Sequence, residues 1–172
     1  MKSTTTVIFM LGITCFLSAC GTVPKSRMHF IELMKEESGV GPWKRMAFSK
    51  TIEKPFQKAF DNINDKLLGC VPGGYQTVTM RGSSMSSQSV NNNSRIEKVG
   101  SDKAEITIQQ YHSGTVMQSD GGFYLLAVDM ARVGEQSVRL DFFVGKHYLG
   151  LAEAVEHWAN GSEKCHGIGG NP

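Results

Sequence analysis

The sequence predicts an α+β domain: an antiparallel sheet with two helices packed on one face, in the order strand, helix, strands, helix, with one disulfide. Three observations carry this. Two segments place apolar residues at helical spacing, and the stretch between them alternates apolar and polar residues at the period of a strand. Two cysteines, Cys70 and Cys165, each stand on the C-terminal side of one of those helices. A helix layer laid over an antiparallel sheet buries the apolar faces of both.

The elements follow in chain order. Trp43 opens the domain, and residues 44–52 alternate in part and read as a strand. Pro55 then begins the clearest helix. Phe56, Ala59, Phe60, Ile63, Leu67 and Cys70 form one stripe, with Lys58, Asp61, Asn62, Asp65 and Lys66 between them. Proline is tolerated in a first turn, and Gly69 suits a C-terminal end. Val71-Pro72-Gly73-Gly74 is a turn, and residues 75–80 are rich in β-formers. Residues 82–94 are small and polar, Ser and Asn for the most part, and predict a mobile loop or a hairpin tip. Residues 95–99 and 104–111 read as strands joined by the turn 100–103. Phe123–Met130 is a nearly continuous apolar strand after the turn Asp120-Gly121-Gly122. In the next strand Val138, Leu140, Phe142 and Val144 alternate with Arg139, Asp141 and Phe143. A last helix spans about 148–159, with Leu149, Ala152, Val155 and Ala159 on one face, and Asn160-Gly161 ends it.

The first twenty residues have a separate logic. Lys2 supplies a short positive region, and Val7–Leu17 follows without a charge. That is the apolar core of a signal peptide, too short and wrongly flanked to span a membrane. Leu17-Ser18-Ala19-Cys20 comes next. This resembles the lipobox of bacterial lipoproteins, a leucine and two small residues before the cysteine that is lipidated. The resemblance implies cleavage before Cys20 and a lipid anchor on its thiol. Gly21, standing where an aspartate commonly signals inner-membrane retention, favours the outer membrane, with the domain facing the periplasm.

The expected organisation is a signal peptide at 1–19, a lipidated tether at 20–42, one domain at 43–166 and a disordered tail at 167–172. The short segment 28–37 within the tether reads either as a brief helix, docked on the domain or on a partner, or as a loosely ordered linker. Of four cysteines, Cys15 leaves with the signal and Cys20 takes lipid. Cys70 and Cys165 remain as an even pair in an oxidising compartment, which predicts one structural disulfide. Loss of Lys2 takes the formal charge from +2 to +1. So even a surface offers no argument for nucleic acid.

The order of elements, the helix 56–70 and the paired cysteines resemble small envelope-lipoprotein domains of helix-grip-like type. These include the lipoprotein accessory subunits of the outer-membrane β-barrel assembly machinery. The resemblance spans residues 43–166 and implies a fold, not an activity.

The candidate chemistry is sparse. No nucleophile elbow, phosphate loop or zinc-protease motif is present, and a mobile serine-rich loop is a poor seat for a nucleophile. His147, His157, His166, Glu153, Glu156 and Cys165 are the one group of metal-ligating residue types, but their spacing matches no standard zinc site. Asp129 and Asp141 stand in adjacent predicted strands, with Arg132 and Arg139 near enough to pair with them. Catalytic residues, metal and cofactor are all expected to be absent. The expected function is a non-catalytic interaction or assembly module, held to the membrane by lipid on Cys20 and bound to an envelope protein. The alternative is a binder of a small hydrophobic ligand in a cavity lined by Phe56, Phe60, Phe123 and Phe142.

Overall fold

The computed structural model describes residues 23–71, 73–81 and 83–165. The signal segment, Cys15, Cys20, His166 and the tail 167–172 lie outside them.

The chain folds as α1 (Arg27–Lys35), β1 (Arg45–Ile52), α2 (Phe56–Cys70), β2 (Gly74–Arg81), β3 (Ser84–Lys98), β4 (Lys103–His112), β5 (Phe123–Gly134), β6 (Ser137–Gly145) and α3 (Leu149–Ala159). Short 3-10 turns precede β1 and α3. The six strands form one antiparallel sheet in the order β1-β6-β5-β4-β3-β2.

The main core lies between the sheet and α2 with α3. Phe56, Ala59, Ile63 and Leu67 of α2 recur every three or four residues and are buried. Ala152, Val155, Trp158 and Ala159 do the same on α3. They pack on Ile106 and Ile108 of β4, Leu126, Val128 and Met130 of β5, and Val138, Leu140, Phe142 and Val144 of β6. Cys70 and Cys165 are joined in a disulfide, with their Cα atoms 5.2 Å apart. Asn62 donates to the Ala159 carbonyl at 3.5 Å, and Lys66 pairs with Glu163, so three contacts tie α2 to the end of α3.

The expectation of helices on one face only is overturned. A third helix, α1, covers the opposite face of the sheet. Phe30, Ile31, Leu33 and Met34 bury there on Ala127 and Phe143, with Ala47 and Tyr124 beside them. The order of elements is therefore helix, strand, helix, strands, helix. Segment 28–37 does not hang as a loose linker: Arg27, Phe30, Ile31 and Met34 share one helical face turned to the sheet. The physical reason lies in the strands. A strand buried on both faces carries a continuous apolar run. Phe123–Val128 is such a run, and Phe143 breaks the polar side of β6.

The expected loop at 82–94 is also corrected. Residues 84–98 form one strand, and only the turn between Arg81 and Ser84 is a tip. Small polar residues hold a strand here because neighbouring strands pair them, β2 alone over 84–89, both strands at 90 and 91, and β4 alone over 92–98. Pairing context overrides a weak β preference.

Candidate functional site

The register of β3 creates an exposed arm. Val90 pairs with His112, the last residue of β4, so residues 84–89 extend beyond β4 and pair with β2 alone. Strands β2 and β3 thus leave the sheet as a two-stranded arm. Its side chains alternate between two faces. Met80 stands directly opposite Met85, with Val78 two residues away on the same face, and all three are exposed. Strand β2 also ends the sheet, and Gly74–Met80 carries neither charge nor proline. Sheet edges are ordinarily blunted by those residues.

The base of the arm is rigidly held. Gln110 of β4 donates to the Tyr75 hydroxyl at 3.1 Å and to Asn92 Oδ1 at 3.0 Å. Its own Oε1 meets His112 Nε2 at 2.8 Å. Ser89 and Ser113 exchange bonds between arm and β4–β5 loop, and Gln88 Nε2 donates to the Ser113 carbonyl at 3.1 Å. The sequence reading missed this brace. Its signal was the run of amides and rings at 109–112, legible only once β2, β3 and β4 are placed side by side.

A row of carboxylates crosses the α1 face. Glu97, Glu105, Asp129 and Asp141 are successive register partners on β3, β4, β5 and β6. Arginines answer them. Arg27 of α1 lies 2.5 Å from Asp129 and 3.3 Å from Glu105, and also donates to Thr107 Oγ1 and the Val128 carbonyl. Arg139 and Ser49 hold Asp141, and Arg95 meets Glu97 at 3.5 Å. Arg132 pairs with Asp102 at 2.8 Å, in a turn, rather than with Asp129. Asp129 and Asp141 are brought face to face, but each is engaged by an arginine.

The metal-type residues are scattered. Cys165 is oxidised in the disulfide, His147 packs edge-on against Tyr148 at 4.9 Å, and Glu156 lies 3.5 Å from Lys50. Among the described residues no three His, Cys, Asp or Glu side chains converge. Phe56 and Phe142 are buried in the main core, and Phe60 and Phe123 pack against it. A surface groove of about 360 Å³ lies elsewhere, between Val23–Lys25 and the β4–β5 loop. Another, about 230 Å³, is formed by Met46, Phe48, Lys50, Leu149, Glu153 and Glu156. No described helix is long and apolar enough to cross a membrane.

Comparison adds little to this geometry. No family model matches the chain, and no curated protein matches it. Among solved structures it is similar to the hypothetical protein jhp0584 from Helicobacter pylori, at 10% identity and a TM-score of 0.30, over 66% of this chain and 80% of that one. A likeness of that size carries no argument about either fold or function.

Proposed function

We propose that the protein is a lipid-anchored, non-catalytic interaction module of the bacterial envelope, and that the β2 edge of its arm receives an extended segment of a protein partner. The observation that carries this is an edge strand without charge from Gly74 to Met80, on an arm held at its base by side-chain hydrogen bonds. Main-chain pairing at such an edge supplies affinity, and alternate side chains supply selectivity. A braced arm loses little conformational freedom on binding. The lipobox-like Leu17-Ser18-Ala19-Cys20 supports the anchor. The hydrophobic-ligand alternative is disfavoured, because the rings assigned to its cavity pack in or against the core.

The test is crosslinking in cells from a photoreactive side chain at Thr77, with Cys20 intact. A defined adduct is expected. It should be lost when Val78→Lys charges the edge and reduced when Cys20→Ser removes the anchor. A normally anchored protein that yields no adduct, or an adduct indifferent to Val78→Lys, would overturn the proposal.

A further inference from the structure

We infer that one end of the sheet is a membrane seat: the tip of the β4–β5 loop, Val116 and Met117, dips into the surface of the bilayer that holds the anchor. This rests on lipidation at Cys20. Ser119 in that loop donates to the Pro24 carbonyl, and Val23, Pro24 and Lys25 line the groove against Met117 and Asp120. The chain therefore joins the folded domain at Pro24, with no tether between. Cys20 precedes Val23 by three residues, so whatever their conformation their Cα atoms lie within about 11 Å. The loop tip beside Val23 must then stand close to the lipid.

The surface composition fits that seat. Val116 is 99% exposed and Met117 66%, adjacent and pointing out of the fold. The arm extends past the same end of the sheet, with Met80 75% and Met85 70% exposed at its tip. Val40, before β1, is exposed at that end too. Apolar side chains flanked by a lysine, here Lys25, suit the boundary between headgroups and acyl chains. The opposite end presents only Val99, in a bend, and Val133, near the end of β5, among the exposed large apolar side chains described there. A seat at the bilayer also presents the β2 edge sideways, along the membrane surface.

The test uses the full lipidated protein in vesicles of phosphatidylethanolamine and phosphatidylglycerol containing acyl-brominated phosphatidylcholine. Met117→Trp and, separately, Val116→Trp report contact with lipid, Val133→Trp serves as the distal control, and the parent protein's fluorescence is subtracted. Protein that floats with the vesicles should show quenching at 117 or 116 about twofold or more above that at 133. Floating protein with equal quenching at both ends, or none at either, would overturn the seat and leave the anchor standing. Protein that does not float would overturn the lipid anchor itself, and the seat with it.

Discussion

Arg27 of α1 and Asp129 of β5 meet at 2.5 Å, and this contact joins a short helix to a row of carboxylates that crosses the sheet face beside its apolar seat. The guanidinium is 9% exposed and reaches Glu105 as well. Asp129 and Glu105 are direct register partners, so without the arginine they face one another uncompensated. The salt bridge therefore does two things: it docks α1 and permits the acidic row.

Replacing Arg27 with Met keeps bulk and removes charge. Both carboxylates are partly exposed, which limits the cost, and the expected loss is about 1–3 kcal/mol by denaturant unfolding. Hydrogen exchange should quicken over residues 27–35. Unchanged stability and exchange would mean that the apolar contacts of Phe30, Ile31 and Met34 dock the helix alone.

The Cys70–Cys165 bond closes a loop of 95 positions. Its removal by Cys70→Ser with Cys165→Ser should cost about 2–4 kcal/mol, chiefly by freeing the unfolded chain. Two titratable thiols in native protein purified under oxidising conditions would contradict the bond.

Shortening the arm separates its role from folding. Replacing residues 79–86 with Asn-Gly leaves Val78 opposite Ser87 as the closing pair of a two-residue hairpin. The midpoint of thermal unfolding should move by no more than a few degrees, because none of the described residues among those removed belongs to the core. Deleting residues 83–93 is different. It removes Val90, 1% exposed, and part of the β3–β4 ladder, and should unfold that edge of the sheet.

Gly122 has φ +105°, and a Cβ there would lie 2.3 Å from the Gln110 carbonyl oxygen. Gly122→Ala should destabilise by more than about 1 kcal/mol, from left-handed strain and a backbone clash together. Circular dichroism melting of this variant beside Gly121→Ala would check it. Gly121 has only side-chain ends within reach of a Cβ, so equal losses would refute the clash.

Burial pushes the Tyr148 phenol above its ordinary 10.0, and nearby Tyr75 adds to the shift. The unfolded chain ionises first. Tyr148 thus contributes stability that is whole below pH 10.0 and is lost as pH rises through the higher folded value. Tyr124 shifts in the same direction, mainly by burial. Unfolding followed from pH 9 to 12 should show a shallower decline in Tyr148→Phe than in the parent. A decline of equal slope would exclude this linkage.

Local periodicity determined much of the molecule. The stripe from Phe56 to Cys70 and the alternation from Val138 to Val144 mark a helix and a strand whatever surrounds them, because periods of 3.6 and 2 are properties of the backbone. The same sequence supplied the two cysteines that the fold joins, Cys70 and Cys165, and the lipobox-like Leu17–Cys20 on which the anchor proposal stands. What only the tertiary structure decided is which face each element covers. Met28 to Met34 is too short to prove itself a helix in isolation, since a helix of two turns is not stable without packing. It becomes one because Phe143 and Ala127 offer an apolar surface and Asp129 a partner for Arg27. The serine-rich stretch after Arg81 becomes a strand because β2 supplies its ladder, and β4 supplies that of the rest of β3. The arm and its brace of Tyr75, Gln110 and His112 arise from register. Register is a relation between distant segments, and no local pattern encodes it.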